Sequence, residues 1–360
     1  MRKILLPLLL VLTSASFSQS KKTENVILIT LDGMRWQDVF TGADLSLINN
    51  KEFVEDSAGV KSRFWVSDVN ERRKLLMPFL WNEVGSKGQL YGNRTKNNFV
   101  NVTNKMWFSY PGYNEILTGA ADDVRINSND KNPNPNVTVL EVVNQQPSFK
   151  NRVAAFTSWD VFPEIINTKR SGVLVNSGID EFKDSPLNDK QVLLNNLIHE
   201  LPYLGYTRPD AITFHLGFEY LKKKMPSVLY LSFDETDHFA HEGMYDLYLQ
   251  SVHYTDALIA ELWSWIQSEP KYKDKTTMIL TTDHGRGTTK YDSWRHHGAK
   301  EPNADQIWVA VIGPDTPATG ERKSGEQFYQ NQIAATLASL MNIKFETQNS
   351  GKPISPVSSK

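Results

Sequence analysis

The sequence predicts an α/β fold, a doubly wound and mostly parallel central sheet flanked by helices, on three observations. Four short apolar runs stand out: "VILITLDG" at 26–33, "RVAAFTSWD" at 152–160, "SVLYLSFDETD" at 227–237 and "TTMILTTDHG" at 276–285. They are continuous rather than alternating, as strands buried on both faces are. Helical patterns separate them, which is the alternation that builds parallel sheets. The runs beginning near 26, 227 and 276 each deliver an Asp at their carboxyl end, where open α/β sheets bind their ligands.

Along the chain, residues 1–20, "MRKILLPLLLVLTSASFSQS", carry two basic residues, an apolar run and then small and polar residues. This is the pattern of a cleavable secretory signal, and the apolar run is too short to span a bilayer. A periplasmic or secreted protein with no membrane anchor after cleavage is expected. Residues 21–345 read as one catalytic domain, without internal repeats or a linker, and 346–360 as a polar tail expected to fray. Between the strands, "MPFLWNEVGSKG", "TVLEVVNQQ", "DKQVLLNNLIHELPYLG", "YDLYLQSVHYTDALIAELWSWIQ" and "QFYQNQIAATLASLMN" read as helices. The segment 120–138, "AADDVRINSNDKNPNPNVT", reads as a long loop. A fifth apolar run, "QIWVAVIGP" at 306–314, lacks the acidic ending.

The 360 residues are 40% hydrophobic, enough for a sizeable core. With 39 Lys+Arg against 41 Asp+Glu there is no basic field for nucleic acid. The cysteine count is zero, which excludes disulfides and leaves His, Asp and Glu to hold any metal.

Chemistry concentrates at the strand ends. Asp237 and His241, in "DHFAH", are four apart and face the same way on a helical turn. Asp283 and His284 follow a strand and precede a glycine, Asp32 ends the first strand, and "RHHG" sets His296 and His297 before Gly298. Asp32, Asp237, Asp283, His241, His284 and His297 together supply three carboxylates and three imidazoles at one sheet edge. That set suffices for two zinc-like ions, and without cations its carboxylates would repel one another. In "WFSYPGYNEILTG", Ser109 precedes a helix-like segment. It suits a nucleophile facing an anion at a helix N-terminus or a simple N-cap.

In the order "ILITLDGMR", "FSYPGYNEILTG", "DETDHFAH", "LTTDHG" and "HHGAKEPNADQIWVAVIGP", the chain resembles the alkaline phosphatase superfamily. It looks nearest the nucleotide pyrophosphatase/phosphodiesterase branch and its phosphomonoesterase relatives. The resemblance implies two Zn2+ ions: one held by Asp32, Asp283 and His284 beside the nucleophile Ser109, whose oxygen is also a ligand, the other by Asp237, His241 and His297. It implies hydrolysis of a small-molecule phosphate ester through a covalent phosphoserine. His297 is chosen over His296 because the family's late zinc histidine directly precedes Gly. Asn129, with Asn127 and Asn132 as neighbours, is the expected donor to a nonbridging oxygen, and Arg170, with Trp159 and Asp160, is expected to line the pocket. Gly112 and Tyr113 stand where phosphodiesterases carry Asn and His, which favours monoesters slightly. A sulfatase of the same fold is one alternative, although Tyr113 stands where the sulfatase C/S-x-P-x-R pattern needs Arg. A non-catalytic exported binding protein is the other, although every ligand position is filled by a competent residue.

Overall fold

The computed structural model describes residues 22–183, 185–201, 207–323, 325–347 and 350–357; the expected signal segment lies outside them. Among the described residues ten strands form: β1 (Asn25–Leu31), β2 (Gln89–Tyr91), β3 (Phe99–Asn101), β4 (Val153–Thr157), β5 (Leu174–Ser177), β6 (Val228–Phe233), β7 (Thr276–Thr281), β8 (Val309–Ile312), β9 (Gly320–Glu321) and β10 (Gln327–Tyr329). Eight of them build one sheet in the order β5-β4-β6-β1-β7-β8-β2-β9, and β10 pairs with β3 in a second. From β5 through β7 every pairing is parallel. The sheet is therefore mostly parallel, as the continuous apolar runs require.

Five helices pack on this sheet or supply the site: α1 (Ser109–Thr118), α2 (Asp210–Lys224), α3 (Glu235–His241), α4 (Tyr245–Ser268) and α5 (Gln332–Leu340). Successive residues of β1 point to opposite faces, and each face carries its own core. Ile27, Ile29 and Leu31 pack in one cluster with Phe214 and Leu216 of α2 and Tyr248 and Leu249 of α4. Val26 and Leu28 pack in the other with Ile116 and Leu117 of α1 and Ile333 and Leu337 of α5.

Three elements depart from the sequence reading or extend it. The fifth apolar run forms β8, antiparallel to β7 with Val309 opposite Thr281, so its carboxyl end points away from the site. That orientation explains the missing acid. The residues "QFY" do not begin a helix but form β10 against β3, and α5 starts at Gln332. Helix α2 carries no clean amphipathic stripe because it is buried nearly all round, including Ile212, Thr213, Phe214, Leu216, Gly217 and Tyr220.

The described residues of the segment expected to fray beyond 345 instead dock on the fold. Gly351 N–H donates to Gly119 O at 3.0 Å, Ile354 N–H to Thr336 Oγ1 at 2.9 Å, and Ile354 and Val357 are buried. Two apolar side chains in a polar run are enough to anchor it. No helix among the described residues is long and apolar enough to cross a membrane.

Candidate active site

The parallel neighbours β6, β1 and β7 end side by side, with Leu31 opposite Phe233 and Thr30 opposite Thr281. The residues just beyond these ends are thereby gathered at one edge. Asp32 comes after β1, Asp283 and His284 come after β7, and α3 carries Asp237 and His241 just after β6. His284 Nε2 lies 3.3 Å from Asp32 Oδ1, 3.5 Å from Asp283 Oδ2 and 3.7 Å from Asp237 Oδ1. Asp32 Oδ1, Asp283 Oδ2 and His284 Nε2 are buried without any hydrogen-bond partner. Three orphaned polar atoms converging in a buried space carry a large desolvation cost that a coordinated cation removes. Their other atoms are fixed: His284 Nδ1 donates to Gly285 O at 2.9 Å, Asp283 Oδ1 accepts Gly33 N–H at 3.0 Å, and Asp32 Oδ2 accepts the Tyr113 hydroxyl at 2.9 Å. Such outer contacts set tautomer and orientation in metal centres.

A second group adjoins the first. Asp237, His284 and His297 each offer an atom within one small sphere, as do Asp32, Asp283 and His284. His241 Nε2 approaches Asp237 Oδ2 at 3.3 Å and His297 Nε2 at 2.8 Å. His297 Nδ1 is directed to Trp107 O at 3.2 Å, which leaves its Nε2 for the centre. His284 thus stands between the two groups, a closer arrangement than the even three-and-three division read from sequence.

The electrostatics fit a site built for cations. Burial and then Asp237 push the Asp32 carboxyl well above the usual range, and burial and then Asp32 do the same to Asp283. Burial would raise Asp237 as well, but the Arg286 guanidinium with His241 and His297 holds it well below the usual range. Burial and then His284 lower His297, keeping its ring neutral and able to ligate. An all-O and N donor set of this kind suits a divalent transition ion.

Ser109 is the first residue of α1 and is largely buried. The turn it opens and the residues just before it touch both ligand groups. Trp107 O receives His297, and Tyr113 bonds Asp32, while Gly112 lies against the Asp283 backbone. Glu115 anchors the preceding loop by accepting Thr103 N–H at 2.8 Å and Asn104 N–H at 2.8 Å. Asn129 is exposed and its Oδ1 accepts Tyr110 N–H at 3.0 Å. That bond directs its amide group to the residue next to Ser109.

A Cβ on Gly112 would come within 2.4 Å of Asp283 O. Alanine at a helix position ordinarily stabilises over glycine by about 1 kcal/mol. Here Gly112→Ala is expected to destabilise by roughly 1–3 kcal/mol through overpacking, with loss of bound metal. Thermal melts and metal content check both.

Arg170 does not serve the pocket. Its Nε and Nη2 grip Glu141 at 3.0 and 2.8 Å, and Nη1 and Nη2 bond the carbonyls of Asn134 and Asn136. It is a clamp for the 120–138 loop, all its charge spent on the buried carboxylate. Asp160 pairs with Lys131 at 2.7 Å, whereas the Trp159 ring lies 6.4 Å from that of Tyr113, beside the active turn. Gly112 and Tyr113, read as favouring monoesters, face Asp283 and Asp32, so packing accounts for them and the monoester preference loses that support. Sequence reasoning named Tyr113 but missed its bond to Asp32, and it missed Arg286 and Gln330, whose Nε2 donates to Thr282 O and Asp283 O. Their partners lie tens to hundreds of residues away in sequence.

The sheet, the strand-end acids and the serine-led helix define a hydrolase of the sulfatase/alkaline phosphatase superfamily. Residues 164–343, half of the chain, match the Sulfatase family model, and the chain belongs to that family. Members of the superfamily depend on metal, in keeping with the two ligand groups. Among solved structures, the chain is similar to the lipoteichoic acid synthase LtaP from Listeria monocytogenes, at 13% identity and a TM-score of 0.60 over 94% of this chain and 76% of that one. It is similar to alkaline phosphatase PafA, at 11% and 0.59 over 94% and 99%. It is also similar to a 2-O GAG sulfatase, at 12% and 0.53 over 93% and 74%. No curated protein sequence matches the chain.

Proposed function

We propose that this protein is an exported phosphoesterase that cleaves a small-molecule phosphate ester through a covalent phosphoserine on Ser109. The observation that carries the reading is the trio of orphaned atoms on Asp32, Asp283 and His284, set against the helix turn that Ser109 opens. Asp32, Asp283 and His284 would hold one zinc ion and Asp237, His241 and His297 another; bound there, the ions supply Lewis-acid polarisation and lower the pKa of coordinated oxygens.

The chain's own residues do the rest. Tyr113 and Gly33 hold Asp32 and Asp283 through hydrogen bonds of 2.9 and 3.0 Å. Asn129, whose Oδ1 accepts Tyr110 N–H, adds a side-chain amide within one residue of Ser109. Ser109 Oγ bonds to phosphorus as the bond to the leaving oxygen breaks, and the departing alcohol takes a proton. Water then bonds to phosphorus, the bond to Oγ breaks, and the serine recovers its proton, leaving phosphate.

A second reading, sulfate esters, is favoured by the family match and by the resemblance to a sulfatase structure. Against it stands Tyr113, whose hydroxyl is committed to Asp32, at the position where the C/S-x-P-x-R pattern requires arginine. Initial rates of the zinc-loaded protein on p-nitrophenyl phosphate, bis-p-nitrophenyl phosphate and p-nitrophenyl sulfate test the assignment. One of the phosphate esters is expected to dominate, and which one sets monoesterase against diesterase. Dominance of the sulfate overturns the proposal.

A further inference from the structure

Arg286 lies two residues beyond His284, is almost wholly buried and has no part in the ligand sets. Its guanidinium reaches three segments that carry or adjoin ligands. Nε donates to Gly33 O at 3.0 Å, just after Asp32. Nη1 donates to Arg295 O at 2.9 Å, just before His297. Nη2 donates to the Asp237 carbonyl at 3.3 Å and also to its carboxylate. Arg295 extends the chain, its Nη2 donating to His241 O at 2.9 Å. Gly33 makes room for this fork: a Cβ there would sit 2.5 Å from Nη2, and φ is +55°.

We propose that Arg286 is a positioning residue that assembles Asp237, His241 and His297 into a ligand set before any metal arrives. The inference rests on the reading of this cluster as a metal centre. Beyond Asp32 N–H, which still bonds Phe233 O, the loops after β1, β6 and β7 are tied by side chains, and among the described residues Arg286 is the one that links Gly33, Asp237 and the segment before His297 at once. A planar guanidinium can serve several acceptors at fixed angles, and an ammonium cannot. Outer groups that orient ligands in this way typically account for about 10–100-fold in metal affinity. The charge of Arg286 acts in the opposite sense, since a fixed cation repels an incoming one. Position and charge therefore predict opposite effects when the guanidinium is removed.

The test is a zinc-binding isotherm of the full chain, by calorimetry with chelator competition, for the wild type, Arg286→Gln and Arg286→Lys. Two zinc ions are expected in the wild type. In Arg286→Gln one step is expected to be retained and the other weakened by about 10–100-fold. Arg286→Lys, which restores charge but not the fork, is expected to keep most of that defect, and it carries the test if the glutamine variant does not fold. Equal or tighter zinc binding in Arg286→Gln, full rescue in Arg286→Lys, or the same weakening of both steps overturns the positioning role. A wild type that binds no zinc overturns the metal reading itself, which is a separate and recognisable failure.

Discussion

Ser109→Ala is expected to lower turnover by roughly four orders of magnitude or more, the scale seen when a covalent nucleophile is removed from an otherwise intact site. In barrier terms that is about 5–6 kcal/mol. The ligand groups should survive the change, because they are fixed from elsewhere: Asp32 by Tyr113, Asp283 by Gly33 and His297 by Trp107. Zinc content and melting temperature are therefore expected to match the wild type. Steady-state rates on p-nitrophenyl phosphate, with metal analysis of the same preparation, separate loss of chemistry from loss of structure. Turnover within about tenfold of wild type would assign the attack to water alone and remove Ser109 from its role.

Legible in the sequence is whatever depends on local pattern. The runs ending at Asp32 and Asp283 announce themselves because a carboxylate at the end of a buried strand has few uses other than a ligand. The Asp237–His241 pair comes from helical spacing, and α3 places it as the spacing requires. Features that depend on distant partners are not legible. Tyr113 is legible as a departure from the family patterns, but its bond to Asp32, 81 residues away, is not. Arg286 meets Gly33 across 253 residues, and nothing near it in the chain signals that contact. Arg170 reads as a pocket residue for the same reason, its partner Glu141 lying on a helix 29 residues earlier. Strand β10 escapes notice because three residues acquire their conformation only from β3, more than two hundred positions upstream.

Metal removal is expected to abolish activity, with zinc restoring it, and also to change how stability depends on pH. In the metal-free protein, burial and mutual repulsion raise Asp32 and Asp283 above the ordinary carboxyl value of 3.8. A carboxyl whose folded value is raised contributes stability that is present below 3.8 and is lost as pH climbs through the folded value. Asp237 runs the other way, but its contribution is complete above the ordinary carboxylate range and adds no slope there. His297, lowered from 6.5, offsets the trend only below that pH. The metal-free protein should therefore lose the contribution of these two carboxyls as pH rises above 3.8 through their raised range. Zinc cancels the repulsion and binds the deprotonated ligands more tightly with rising pH. At a thousandfold excess over its dissociation constant it adds about 4 kcal/mol per site. Paired melts of the chelated and zinc-loaded protein at stepped pH should show their separation widening as pH rises. A separation that stays constant or narrows would mean that these carboxylates are not the groups relieved by the metal, and full activity after exhaustive chelation would remove the metal from the mechanism.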